Sequence, residues 1–285
     1  MPSQRYASTA AGLSQSVLER KGCPLHYWMG GPRDAPLVAL MHGATMDHRM
    51  FNDQVPALID TYRVLVWDSR GHGLSQPVGI EFSLEDAADD MLAILDQEGI
   101  DKAILVGQSL GGFIAQHVYL KAPERVLGIG VIGSLNIAQP YSALEVAALK
   151  LSLPILRWWP YKNFVNLVAQ RTTLDDEVRP YVREAIKLVG PDGFAAIWTG
   201  VTLGVTTEGL PGHSIDVPLL ITHGDQDRTG TISRDAPKWA AKVREEGKTP
   251  LRYEVIPDAA HNANQDNPAF TNRILLAWLG EHFPT

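Results

Sequence analysis

Residues 103–112 read Ala103-Ile104-Leu105-Val106-Gly107-Gln108-Ser109-Leu110-Gly111-Gly112. An apolar, β-favouring run, Ala103 to Val106, enters a Gly-x-Ser-x-Gly turn. A helix-like segment, Phe113 to Val118, leaves it. Gly107 and Gly111 let two backbone segments crowd where a side chain would clash. A strand-to-helix turn of this kind holds its central residue under strain and lifts the Ser109 hydroxyl clear of a sheet. The following helix aims its first N–H groups at the place where negative charge would develop during acyl transfer.

A serine is a poor nucleophile at its own pKa and needs a base, which in turn needs an acid to fix its tautomer. His261 is the better base candidate among nine histidines. It follows the last strand-like run, in Asp258-Ala259-Ala260-His261, before the final helix. Sites in such sheets form beyond the carboxyl ends of parallel strands. The acid should also end a strand, and Thr222-His223-Gly224-Asp225-Gln226-Asp227 offers two carboxylates. Asp227, further from the strand, is the favoured one. Asp225 is the alternative, or a turn residue bonding its own backbone. The oxyanion donors expected by position are the backbone N–H groups of Leu110, just after the nucleophile, and of Ala44, after His42-Gly43.

Outward from this centre the chain alternates strand and helix. Ser16–Leu18 and Leu25–Trp28 flank a Lys21-Gly22 turn and read as a hairpin. Leu37–Met41 and Tyr62–Trp67 are continuous apolar runs, suited to strands covered on both faces. Phe51–Ile59 reads as helical. Ser83 opens a helix with apolar residues at Leu84, Ala87, Ala88, Met91, Ile94 and Leu95, stopped by Gly99. Val126–Ile132, Pro218–Thr222 and Arg252–Ile256 read as strands, and 233–246 and Pro268–His282 as helices. Between 138 and 212 the rhythm breaks into helices alone: Ala143–Leu153, Asn163–Gln170, Asp176–Val189 and Gly193 to about Leu203. The expected organisation is a core of residues 1–137 and 213–285 with an inserted helical cap at 138–212. Residues 1–10 read as a flexible tail.

Composition narrows the function. The 285 residues, 45% hydrophobic and 20% charged, suit one α/β domain with an insertion. A net charge of −7 argues against nucleic acid or an anionic membrane as partner. The single cysteine, Cys23, excludes an intrachain disulfide and a cysteine metal cluster. No run approaches about 18 uninterrupted apolar residues, so no integral membrane segment is expected. The N-terminus does not look like a secretory signal, and a cytoplasmic location is the simplest reading. No histidine pair has the spacing of a metal site, and no nucleotide-binding glycine loop is present. Neither cofactor nor metal is expected. His42 and His72 read as loop-shaping residues, with Asp68 and Arg70 pairing under the Gly-rich turn 68–73. His48 is a candidate to face the substrate, and His117 reads as a packed histidine.

With these residues placed, the chain resembles the α/β-hydrolase family. The resemblance rests on His42-Gly43, Asp68-Ser69-Arg70-Gly71-His72-Gly73-Leu74-Ser75, Gly107-Gln108-Ser109-Leu110-Gly111-Gly112, Gly224-Asp225-Gln226-Asp227 and His261. It implies a mostly parallel eight-stranded sheet flanked by helices. It also implies the acid at the last residue of Gly-x-x-Asp, Asp227. The first half looks like 3-oxoadipate enol-lactonases and related small esterases. Arg228-Thr229-Gly230 departs from the family's frequent proline after the acid, and the cap is more apolar than a dicarboxylate lactone would suggest.

These readings point to a serine hydrolase acting on a small to medium, mainly apolar ester or lactone through an acyl-enzyme on Ser109. Met46, Phe113, Trp158 and Trp159 are the candidate substrate-lining residues. The same triad would also serve a perhydrolase of the cofactor-free haloperoxidase type, a thioesterase or an acyltransferase. A ligand receptor on a hydrolase scaffold is the rival of another class. The oligomeric state stays open between monomer and homodimer.

Overall fold

The structure, a computed structural model, describes residues 4–210 and 213–285, the side chains of 4, 153 and 155–158 apart. Its strands are β1 (Ser14–Arg20), β2 (Cys23–Gly30), β3 (Leu37–Met41), β4 (Arg63–Trp67), β5 (Ala103–Gln108), β6 (Val126–Ile132), β7 (Leu219–Gly224) and β8 (Leu251–Ile256). They form one sheet in the order β1-β2-β4-β3-β5-β6-β7-β8. β2 runs antiparallel to both neighbours, and every pairing from β4 to β8 is parallel. The expected mostly parallel, eight-stranded α/β architecture is present. β3 and β5, the two apolar runs at its centre, are buried at every residue because helices cover both faces.

The helices are α1 (Val55–Leu58), α2 (Leu84–Gln97), α3 (Leu110–Lys121), α4 (Ala143–Trp158), α5 (Tyr161–Thr172), α6 (Arg179–Leu203), α7 (Ile232–Glu246), α8 (Ala263–Asp266) and α9 (Pro268–His282). Ser83 caps α2, its hydroxyl accepting from the Asp86 N–H at 3.0 Å. Between β6 and β7 the described residues hold α4, α5 and α6 and no strand. α6 breaks at Gly190 (φ 71°, ψ 171°), where Pro191 cannot continue the preceding turn. No helix among the described residues is long and apolar enough to cross a membrane.

Three local expectations fail. The helix read over Phe51–Ile59 is a 3₁₀ turn, His48–Phe51, followed by the short α1. Pro56 lies in the first turn of α1, the one place where a missing N–H is tolerated, so the helix starts there. α4 passes through Pro154 instead of ending before it. Residues 5–10 are not a loose tail. Arg5 bonds Asp53 at 2.7 Å, and the buried Tyr6 donates to the same carboxylate at 2.5 Å while stacking on Tyr181 of α6 at 4.9 Å.

Candidate active site

Ser109 lies between the last residue of β5 and the first of α3, at φ 48° and ψ −110°. That backbone is disfavoured for any side chain-bearing residue and marks stored strain. The turn is this tight because the flanking glycines allow it. A Cβ on Gly107 would lie 2.1 Å from the backbone carbon of Gly111. One on Gly111 would lie 2.0 Å from the Met41 carbonyl oxygen. The Ser109 N–H is held by the Ile132 carbonyl at 2.9 Å, which anchors the turn to β6.

The loop after β3 runs beside this turn. A Cβ on Gly43 would sit 3.4 Å from Ser109 Cβ. Ala44, the next residue, has an N–H with no acceptor among the described residues. Leu110 opens α3, so its N–H has no partner within the helix. Two unsatisfied backbone donors therefore belong to segments that meet at Ser109.

His261 and Asp227 come from the ends of β8 and β7. His261 Nδ1 lies 2.9 Å from Asp227 Oδ2, and both residues are buried. Donation through Nδ1 leaves Nε2 as the basic nitrogen. Burial alone would raise the Asp227 carboxyl. Instead the charge and hydrogen bond of His261, with the Thr229 N–H at 2.8 Å, hold it below the usual carboxylate range. Asp225 has a different place: its Oδ1 accepts from the Ala259 N–H at 3.0 Å and ties the β7 loop to the turn that carries His261.

A cleft of about 460 Å³ opens over Ser109. Its lining is mostly apolar and includes Phe113, Leu149, Trp198, Val201 and Ile232. Met46 and Trp159 are not among the described residues that line it. Met46 is buried, with its sulfur 3.9 Å from the Asn262 amide, and Trp159 is exposed. The side chain of Trp158 lies outside the described residues.

The family profile for the alpha/beta hydrolase fold matches residues 36–173. The AB hydrolase superfamily protein YfhM of Bacillus subtilis is 30% identical over 94% of this chain and 98% of its own length. The chain belongs to the α/β-hydrolase family. A 3-oxoadipate enol-lactonase of Acinetobacter baylyi is 28% identical to this hydrolase over 88% of the chain and 91% of the relative. A solved thermophilic esterase from Thermogutta terrifontis superposes with a TM-score of 0.79 at 23% identity, covering 96% of this chain and all of that one. The likeness to esterases and enol-lactonases read from the motifs is thus borne out, and the chain is an enzyme of the hydrolase class.

The loop 68–75 of this hydrolase is wired differently from the expected Asp68–Arg70 pair. Arg70 turns under the loop to Asp90 of α2, with Nε at 2.6 Å and Nη2 at 2.7 Å. Asp68 instead accepts from the His48 N–H and Nδ1, both at 2.8 Å, and from the Leu74 N–H. His48 stacks on Trp28 with ring centres 3.6 Å apart and lines a separate cleft of about 330 Å³, away from Ser109. Asp47, His48 and Asp68 form the one cluster with metal-ligand spacing among the described residues. Its atoms are already engaged: Asp47 binds Arg49, and His48 Nε2 meets Thr9 at 2.9 Å.

His42 fixes the neighbouring loop. Its Nε2 accepts from the Ser69 N–H at 3.0 Å and its Nδ1 donates to the Gly43 carbonyl. His72 is wholly buried, and its Nε2 has no partner among the described residues. Burial, with His42 nearby, pushes its pKa down to about 3. The folded-state value therefore lies below the unfolded one, near 6.5. Between those values the unfolded chain takes up a proton that the native chain refuses. Stability should fall as pH drops through that window, by about 1.4 kcal/mol per pH unit from this group. Urea unfolding at pH 7, 6 and 5 measures the slope, and His72→Asn should flatten it. An unchanged slope would remove His72 as the cause.

Three polar residues brace the site; sequence reading missed Gln108 and Asp266 in this role and offered Asp225 only as the alternative acid or a turn residue. Gln108 donates through Nε2 to the His261 carbonyl at 2.9 Å, Asp225 holds Ala259, and Asp266 Oδ2 accepts from the Ala260 N–H at 2.8 Å. Gln108 abuts the motif serine, which is a usable signal. Asp266 carries none, because its partners, three backbone N–H groups and the Thr173 hydroxyl, are brought together only by folding.

Proposed function

We propose that this hydrolase cleaves a carboxylic ester or lactone of a small to medium, mainly apolar substrate through an acyl-enzyme on Ser109. The observation that carries this reading is the buried His261–Asp227 hydrogen bond at 2.9 Å, in a protein whose strained Ser109 faces an apolar cleft. In the proposed mechanism the substrate carbonyl lies over Ser109, with its apolar part against Phe113 and Trp198. Ser109 Oγ attacks the carbonyl carbon while His261 Nε2 takes its proton. Asp227 stabilises the imidazolium that forms. The oxyanion is met by the N–H groups of Ala44 and Leu110, which need no reorganisation at that moment. His261 then gives the proton to the leaving alcohol and accepts one from water. The resulting hydroxide attacks the acyl carbon, and the bond to Ser109 Oγ breaks as His261 returns the proton to that oxygen, releasing the acid. Residues 138–212 act as the cap that bounds the substrate.

A fluorophosphonate probe tests the nucleophile directly. One phosphonyl group is expected per chain, found on the peptide that carries Ser109, with parallel loss of activity toward a p-nitrophenyl ester. Label on another residue, with Ser109 unmodified and turnover lost, would overturn the assignment.

A further inference from the structure

The turn that carries His261 is fastened to the helical segment between β6 and β7 at one corner, the link between α5 and α6. The Asn262 N–H donates to the carbonyl of Thr172, the last residue of α5, at 2.7 Å. Asp266, at the end of α8, does more. Its Oδ2 takes the Ala260 N–H, next to His261 in the chain. Its Oδ1 takes the Thr173 hydroxyl, the Leu174 N–H at 3.0 Å and the Asp175 N–H at 3.3 Å. One carboxylate thus has donors from two chain segments. An ionised carboxylate accepts several donors at once, and such charge-assisted bonds are short and strong.

We propose that Asp266 is a positioning residue for the acid–base pair, fixing the His261 turn against the α5–α6 corner so that the imidazole is held in line with Asp227. The proposal rests on the reading of His261 as the catalytic base. Asp266 touches neither substrate nor the imidazole. It acts through the Ala260 peptide, whose orientation sets where the next Cα–Cβ bond points. A base held on a turn has fewer constraints than one on a strand, and a small displacement of a reacting group carries a large rate cost. The same carboxylate joins the base to the corner of the proposed cap, so a shift of that corner is transmitted to His261.

Asp266→Asn tests this. The amide keeps the shape but turns an NH₂ toward donors on one side. The kcat for a small soluble ester is expected to fall about tenfold to a hundredfold with KM nearly unchanged. The low-field proton resonance of His261 Nδ1–H is expected to shift or broaden. Thr173→Val removes one donor at almost constant shape and should move both readouts in the same direction by less. A folded Asp266→Asn enzyme with wild-type kcat and an unmoved resonance overturns the proposal. If that variant does not fold, Thr173→Val decides: wild-type kcat with an unmoved resonance overturns it equally. A wild-type chain that turns over no ester would instead overturn the proposed reaction. The resonance alone would then judge Asp266.

Discussion

Ser109→Ala is expected to lower ester turnover by about 10⁵-fold or more while leaving the fold intact. The size follows from what alanine removes. Without Oγ no acyl-enzyme forms, and His261 loses the group whose proton it would take. The N–H groups of Ala44 and Leu110 and the apolar cleft survive, so substrate binding and a residual rate above that in water should persist. Stability should change little, because alanine keeps a Cβ in the same strained turn at φ 48° and the hydroxyl caps no N–H of α3. Steady-state kinetics on a chromogenic ester, read beside a thermal melt, checks both parts. A variant that keeps more than about one hundredth of wild-type kcat would remove Ser109 as the nucleophile. Asp227→Asn should fall by about 10⁴-fold, because the amide favours the wrong tautomer of His261.

Asp90→Ala is expected to cost about 3–5 kcal/mol of folding stability. Arg70 and Asp90 both have fully buried side chains and meet through two hydrogen bonds. A third links Arg70 to the Val78 carbonyl at 3.0 Å. Removing the carboxylate strands a guanidinium that cannot lose its proton. Arg20, 3.4 Å from the same carboxylate, loses a partner as well. The pair itself is a poor source of net stability, since two charges had to leave water to form it. Arg70→Met combined with Asp90→Leu should therefore recover much of what Asp90→Ala loses. Urea unfolding of the three variants separates these cases. A loss below about 1 kcal/mol for Asp90→Ala would mean that water reaches the guanidinium.

The parts of the fold that could be read from the chain were those governed by local rules. The apolar runs at Leu37–Met41 and Ala103–Val106 became the buried centre of the sheet, and the Ser83 cap and the apolar spacing after it became α2. Ser109, His261 and Asp227 were singled out because strand ends are where such sheets gather their chemistry, and the fold sets His261 Nδ1 2.9 Å from Asp227 Oδ2. What could not be read was partner choice across long sequence distances. Asp68 and Arg70 stand two apart and invite a local pair, yet the guanidinium turns to α2, twenty residues on. Tyr6 sits among small and polar residues, so nothing in its neighbours announces a burial that depends on Asp53 and Tyr181. The apolar residues of 138–212 follow helical spacing. That spacing does not say which face meets the cleft: Trp198 lines it, while Trp159 is exposed.

The sheet order gives the site a particular place in time. Ser109 follows β5, Asp227 follows β7 and His261 follows β8, and the bond from Gln108 to His261 closes a loop of 153 residues. Contacts so far apart in the chain form late, because the entropy of closing the loop is lost before the contact repays it. During synthesis the Ser109 segment is made long before His261 exists. Under the proposed mechanism activity is therefore the last property this chain acquires, and its return on refolding reports the docking of the final third rather than the collapse of the first.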